Sequence, residues 1–260
     1  MSKSETEFVK PLNDLLLLDV GNTAVKLSYA TPEGWLEPLR FPKAEFDKMI
    51  VWMRHHQAYF GRTVISTVVF PVSDKIIELL PDWDHQLLYR EDIPDEKLDY
   101  DSIKMLGMDR YLGCYGAAGQ YGAPVVVVDA GTACTVDYMD ADQVYRGGVI
   151  MPGLSLWERS LQQYAVGLPA ARREIPDHWP GHTTEQCLQW GLAAAFRDCI
   201  GVMLDRYRER QGDYRLVFTG GDASLVRELL DQDGTVDPAL IFRGIHRFWS
   251  RAYSSSNPSS

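Results

Sequence analysis

The sequence has no Cys-x-x-Cys pair, no run of basic residues, no Gly-x-x-x-x-Gly-Lys-Ser/Thr phosphate loop and no apolar stretch of membrane-spanning length. Each absence narrows the function. The four cysteines, at 114, 134, 187 and 199, lie in apolar or helical contexts, so buried free thiols and a reducing cytoplasm are expected. Arg172-Arg173 is the densest basic pair, and the formal net charge is -10. A general nucleic-acid binder needs Lys and Arg clusters to overcome phosphate repulsion, so no nucleic-acid partner is expected. The apolar run after the acidic, mixed N-terminus is too short for a signal sequence, and no membrane partner is expected. Any phosphate chemistry must proceed without a P-loop.

The 260 residues suffice for one large or two ordinary domains, and 45% apolar with 24% charged residues predicts a full core. The chain is organised around Leu15 to Tyr29, LLLLDVGNTAVKLSY. Four apolar residues run into Asp19, Gly21-Asn22-Thr23 makes a turn, and an alternating stretch follows, which predicts a hairpin. The pattern returns 110 positions later as VVVVDAGTACTVDYM, with Asp129 aligned on Asp19 and Gly131 on Gly21 without a gap. A third glycine turn follows a strand at Thr219-Gly220-Gly221-Asp222.

Between these landmarks the chain alternates strands and helices. A third strand is expected from Trp35 to Phe41, a helix over Lys43 to Phe60, a buried strand from Thr63, and a short helix capped by Ser73. A strand follows near Gln86 to Tyr89. After an irregular acidic stretch, Gly107-Met108-Asp109-Arg110 opens a helix to about Tyr121. The second half repeats the order: hairpin, third strand near Val144 to Ile150, and a helix begun by Met151-Pro152-Gly153. A polar loop spans Ala170 to Gly181, and Thr183 or Thr184 caps a long helix through Arg210. A strand from Arg215 and two more helices complete the chain, and the Ser-rich end from Ser254 is expected to fray. The reading is an internal duplication of a mixed α/β unit, with domains 1–122 and 123–260; one large α/β domain is the alternative.

The chemistry resides in the turns. At Asp19-Val20-Gly21-Asn22-Thr23, glycine exposes backbone amides and lets a phosphate approach. Asn22 and Thr23 add neutral donors, Asp19 can hold a hydrated divalent cation, and Lys26 can add charge. Taken alone this is also a plain hairpin turn. Asp109 at a helix start can stabilise the helix dipole, or it can take the proton of an attacking hydroxyl in phosphoryl transfer. Arg110 beside it can clamp a carboxylate. A substrate carrying both a hydroxyl and a carboxylate suits the pair.

Five ordered pieces over residues 15 to 230 resemble the type III pantothenate kinases. They are Asp19-Val20-Gly21-Asn22-Thr23, Gly107-Met108-Asp109-Arg110, Asp129-Ala130-Gly131-Thr132-Ala133, Gly147-Gly148-Val149-Ile150-Met151-Pro152-Gly153 and Thr219-Gly220-Gly221. The resemblance implies the acetate kinase, sugar kinase, Hsp70 and actin superfold: α/β, two duplicated RNase H-like domains with mixed sheets and ATP bound in the cleft between them. It implies that Asp19, Val20, Gly21, Asn22, Thr23, Ala24, Val25 and Lys26 form the first phosphate segment, with Thr132 a further ATP contact. Asp109 is implied as the proton acceptor for the pantothenate hydroxyl, and Gly107, Met108, Asp109 and Arg110 as the substrate segment. Asp129 is implied as ligand of a monovalent cation, K+ or NH4+. On spacing alone, Tyr100 and Thr184 match substrate contacts, the latter across a homodimer interface, though either residue also serves as simple packing or as an N-cap. The Gly147 to Gly153 region is implied near that interface. Gly147-Gly148 and Pro152-Gly153 are equally readable as packing and turn residues. Trp157, Trp179 and Trp190 fit an interface or a core. A chain at -10 holding a polyphosphate beside Asp19, Asp109 and Asp129 needs added positive charge, so Mg2+ and a monovalent cation are expected.

The expected activity is ATP-dependent phosphorylation of pantothenate to 4'-phosphopantothenate, the first step of coenzyme A synthesis. Alternatives are a kinase for another small hydroxy-carboxylate or sugar, and a regulatory accessory protein of the same family. The intact Asp109 and both phosphate turns favour an enzyme.

Overall fold

A computed structural model describes residues 8–253; the Ser-rich end expected to fray lies outside the described residues. The first sheet is built from β1 (Leu15–Val20), β2 (Ala24–Ser28) and β5 (Leu39–Pro42), then β6 (Arg62–Thr67) and β7 (Asp84–Leu87). A small hairpin of β3 (Ala30–Thr31) and β4 (Gly34–Trp35) interrupts it, and α1 (Phe46–His56) and α2 (Phe70–Leu79) form the crossovers. After three short 3-10 turns, α3 (Met108–Tyr121) leads to β8 (Val125–Ala130), β9 (Ala133–Met139) and β10 (Tyr145–Pro152). Then come α4 (Leu154–Tyr164), α5 (Thr184–Gln189), α6 (Ala195–Gln211), β11 (Arg215–Thr219), α7 (Ala223–Leu230), β12 (Thr235–Val236) and α8 (Leu240–Ala252).

The two sheets have one design. The first runs β5-β2-β1-β6-β7 and the second β10-β9-β8-β11-β12. In both, the first three strands are antiparallel to their neighbours and the last two run parallel to the central strand. All six residues of β1 are buried, which is why the strand reads as a continuous apolar run rather than an alternating one. Leu16, Leu18 and Val20 join Met49, Ile50 and Met53 of α1 and Ile76 of α2 in one core. Val126, Val128 and Ala130 join Leu154 of α4, Phe196, Ile200 and Leu204 of α6 and Val226 of α7 in the other. Truncating a leucine at such a site costs about 2–5 kcal/mol.

The chain forms two compact units that are not contiguous in sequence. One takes the residues up to Ile93, Ser102–Leu112 and everything from Ile241; the other takes Pro94–Asp101 and Gly113–Leu240. The sequence reading divided the chain at 122. In the first unit the backbone of α8 packs closely on α3, since a Cβ on Gly244 would collide with the backbone of Leu112. Tyr111 meets Phe248 edge-on at 6.1 Å.

Several local expectations are corrected. The third strand is only Leu39–Pro42, because residues 30–35 fold into their own hairpin. Ser73 is not a cap: it lies inside α2 and its Oγ donates to the Phe70 carbonyl at 2.8 Å, while Val69 is the N-cap. Pro152 ends β10, and Gly153 caps α4. Cys187 is exposed and Cys199 half-buried, so burial holds only for Cys114 and Cys134. The helical run Thr184–Gln211, with a π segment at Trp190–Ala194, is long and apolar enough by length and composition to cross a membrane. One of its faces is buried on the second sheet through Phe196, Ile200 and Leu204, as in a core helix.

Candidate active site

In the first unit, Asp19 is the fifth residue of β1, just before the turn. The Gly21 amide closes that turn on the Ala24 carbonyl at 3.0 Å, leaving Asn22 and Thr23 exposed. Asp19 faces Lys26 in the register of β1 and β2, and Lys26 Nζ lies 3.5 Å from Asp19 Oδ2. The predicted extra charge is thus cross-strand to the carboxylate. On its other side, Asp19 is beside Ser66 of β6, whose buried Oγ has no hydrogen-bond partner. Val20, Ala24 and Val25 are buried core residues. Whatever they contribute to a ligand comes from their backbone.

Asp109 stands in the first turn of α3, where Oδ1 accepts from the Arg110 amide at 2.9 Å. That amide also reaches the Gly107 carbonyl at 3.1 Å. A Cβ on Gly107 would collide with Asp109 Oδ1, so this glycine is what lets the carboxylate fold back over the helix start. Met108 is buried, while Asp109 and Arg110 are half-buried. The carboxylate is therefore oriented by its own helix turn, the condition for a group that must meet a hydroxyl at a fixed place.

In the second unit, the glycine turns meet at the carboxyl ends of β8 and β11. Thr219 pairs with Asp129 in parallel register. Gly220 has φ +91°, and a Cβ there would strike Asp129 Oδ1 and the Ala130 backbone. The Asp222 amide donates to the Ala130 carbonyl at 3.0 Å. From the other side, Gly153 donates to the Thr132 carbonyl at 2.9 Å and is packed against the Gly131 carbonyl, with no room for a side chain. So the start of α4, the Gly131-Thr132 turn and the Gly220-Gly221 turn form one glycine-lined assembly. Its carboxylates are felt nearby: burial, then Asp129, Asp137 and Asp222, push the Cys134 thiol up to about 12.

A cluster invisible in the sequence braces this assembly. Arg173 donates through Nε and Nη2 to both Glu158 oxygens, at 2.7 and 2.6 Å, and through Nη1 to Asp222 Oδ1 at 2.9 Å. Nη2 also reaches Ser155 Oγ at 2.8 Å, and that hydroxyl donates to Asp222 Oδ2 at 3.2 Å. Hydrogen bonding to Glu158 and the Asp222 charge hold the guanidinium above its usual pKa, against the opposing effect of burial. The Arg173–Asp222 pair spans 49 positions, so no local pattern could have revealed it.

The two spacing-based residues stand on different features of this unit. Half-buried Tyr100 packs its ring edge on Gly147, whose φ of +85° and lack of a side chain make the seat. Tyr145 holds the same segment, with its carbonyl accepting from the Asp99 amide at 2.9 Å and its hydroxyl donating to Asp137 Oδ1 at 2.8 Å. Gly147 and Gly148 are thus packing glycines, since a Cβ on Gly148 would enter Asp137. Thr184 is exposed at the first position of α5, and the capping box belongs to Thr183 and Gln186. Trp157 packs edge-on against Phe196 in the core, whereas Trp179 is 71% exposed and meets Trp190 at 4.8 Å.

Among the described residues no group of three or more His, Cys, Asp or Glu side chains could hold a metal ion by itself. Single carboxylates at strand ends beside open glycine turns suit Mg2+, which prefers one or two carboxylates plus substrate phosphates to an all-protein cage.

Residues 15–206 match the family model for type III pantothenate kinase. The chain belongs to the type III pantothenate kinase family. It is 30% identical over 240 residues to a type III pantothenate kinase of Akkermansia muciniphila, covering 88% of this chain and 96% of that protein. Among solved structures, one described as a Baf-family transcriptional activator from Campylobacter jejuni superposes with a TM-score of 0.62 at 21% identity, over 91% of this chain and 98% of that one. A ROK-family glucokinase from Streptomyces griseus, in complex with glucose and AMPPNP, gives 0.51 at 12% identity, over 89% and 97%. At these identities the structures speak for the fold alone. Both share the mixed α/β fold of this chain. The kinase relatives set the regulatory alternative aside.

Proposed function

We propose that this chain transfers the terminal phosphoryl group of ATP to the primary hydroxyl of pantothenate, opening coenzyme A synthesis in the cytoplasm, with Asp109 as the proton acceptor. The observation that carries the reading is the match to type III pantothenate kinases along nearly the whole of a relative's length. Asp109, oriented by Gly107 and the Arg110 amide, takes the hydroxyl proton as the oxygen attacks, and Arg110 binds the substrate carboxylate. The exposed Asn22-Thr23 turn, with Lys26, receives phosphates; Thr132 and the Gly220-Gly221 turn contact the nucleotide. Mg2+ bound with ATP spreads the negative charge of the phosphates and favours in-line transfer. Asp19 would hold that ion, and Asp129 would hold K+ or NH4+.

Tyr100 and Thr184 contact pantothenate in this reading, Thr184 from a second copy of the chain. The exposed apolar residues at the end of α4 and just after it support a homodimer: Tyr164 is 81% and Val166 84% exposed. The deciding experiment is a coupled assay of ADP formation with ATP, Mg2+ and K+, with and without pantothenate, read beside mass-spectrometric detection of the phosphorylated product. ADP formation that is independent of pantothenate, or absent, overturns the activity.

A further inference from the structure

Arg173 lies outside every segment assigned to substrate or nucleotide, yet all three of its guanidinium nitrogens are engaged. They make two bonds to Glu158, one to Asp222 and one to Ser155. The partners are shielded, with the side chains of Glu158 17% and Asp222 20% exposed. A carboxylate pair held together around one guanidinium is strained apart when that guanidinium is removed, because two partly buried like charges are left facing each other. Asp222 transmits the consequence. Its amide is fixed to Ala130 at the end of β8, and the residues immediately before it are Gly220 and Gly221. Gly220 is already pressed against Asp129 and Ala130 at φ +91°. A move of the Asp222 backbone therefore shifts a turn that is closely packed at Gly220 and has open space at Gly221.

We infer that Arg173 is a positioning residue for the nucleotide: by holding Asp222 to Glu158 and Ser155 of α4, it sets where the Gly220-Gly221 backbone stands relative to Asp129. This rests on the reading of that turn as a nucleotide contact. Arginine is required for the role. A lysine keeps the charge but offers a single ammonium, which does not span Glu158 and Asp222 in the same geometry. The proposed pantothenate contacts Asp109, Arg110, Tyr100 and Thr184 all lie on segments other than the Gly220-Gly221 turn, so the effect falls on ATP.

The test compares Arg173→Met, Arg173→Lys, Asp222→Asn and the double variant R173M/D222N. ATP Kd is read by calorimetry and both KM values by steady-state assay. R173M weakens ATP about tenfold or more, as expected when a binding backbone is displaced by a fraction of an ångström to an ångström, while KM for pantothenate stays within twofold. R173K falls between R173M and the unsubstituted chain. Because Arg173 acts through Asp222, the double variant binds ATP no more weakly than D222N. Three outcomes overturn the inference: ATP affinity within twofold of the unsubstituted chain in R173M; equal loss for ATP and pantothenate; or the same fold-loss from R173M with and without D222N. If R173M does not fold, R173K decides by the same ATP and pantothenate comparison. Calorimetry needs no pantothenate, so an unsubstituted chain that binds ATP but does not phosphorylate pantothenate overturns the proposed function and leaves this inference standing.

Discussion

Asp19 and Asp129 hold the same place in their sheets: each is the fifth residue of a six-residue central strand. Each has an antiparallel strand on one side and a hydroxyl-bearing residue of a parallel strand on the other, Ser66 beside Asp19 and Thr219 beside Asp129. Their cross-strand neighbours differ. Asp19 faces Lys26, and Asp129 faces Thr135. The two sheets thus share the carboxylate and the turn and differ in the charge next to them.

In the proposed reading, Asp19 serves Mg2+ and Asp129 the monovalent cation. Asp129→Asn should remove the response to exchanging K+ for Na+, while the Mg2+ titration curve keeps its midpoint. Asp19→Asn should do the reverse and shift the Mg2+ midpoint upward severalfold. Activity measured across both titrations checks this. A D129N protein that still discriminates K+ from Na+ removes the monovalent site from Asp129.

Asp109→Asn keeps the shape and loses the base. A positioned general base contributes about 10²–10⁴-fold, so kcat should fall by that order while ATP affinity by calorimetry changes less than twofold. Full turnover in D109N would leave the carboxylate with only its place in the first turn of α3.

Much of this was legible in the sequence for physical reasons. β1 and β8 announce themselves because strands buried on both faces must be continuously apolar and must end where the chain turns, at Asp-x-Gly. The start of α3 at Met108 is local chemistry too, fixed by Gly107 and Asp109. Errors arose where one residue type serves two purposes. Pro152 fits a helix start, but pairing with Ala133 keeps it in β10. Ser73 reads as a cap, yet Pro71 already fits the first turn and the helix begins at Phe70. In the sequence Arg173 stands only as half of a basic pair. Its role comes from Glu158 and Asp222, which the fold alone brings to it.

Gly220 tests the second-unit assembly directly. Alanine at φ +91° is strained by about 1–3 kcal/mol, and its Cβ would enter Asp129 and Ala130. Gly220→Ala should lower the melting temperature by several degrees and weaken ATP by more than tenfold. Gly212, also at positive φ (+79°) but with open space around it, supplies the control. Gly212→Ala should cost stability alone. Equal ATP loss in both would mean general destabilisation.

The cysteines give a pH prediction. The Cys134 thiol is raised to about 12 from its ordinary 9.0, so the folded state favours its protonated form. The stability from this group is fully present below pH 9 and is lost as the pH climbs from 9 toward 12, because the unfolded chain ionises first. Denaturant midpoints for the unsubstituted chain should therefore fall over that range by more than for Cys134→Ala. Below it, alkylation with iodoacetamide at pH 8 should label exposed Cys187 first and leave buried Cys134 unmodified, as peptide mass mapping would read.

Ser66 offers the sharpest separation of stability from function. Its hydroxyl is buried at 1% exposure with no hydrogen-bond partner among the described residues, although β6 pairs with β1 along its whole length. An unsatisfied buried hydroxyl costs about 1–3 kcal/mol, and folding alone gives no return for it. Its place beside Asp19 does, if the hydroxyl hydrogen-bonds to the phosphates or to the water shell of their ion. Ser66→Ala should then raise the melting temperature of the ligand-free protein by roughly 2–4 °C per kcal/mol recovered. The same substitution should shrink the further rise that ATP with Mg2+ produces. Thermal unfolding with and without nucleotide reads both effects in one experiment. A lower melting temperature for the ligand-free variant would mean that the hydroxyl already bonds to an ordered water in the folded protein. An unchanged ATP-induced rise would mean that Ser66 has no part in holding the nucleotide.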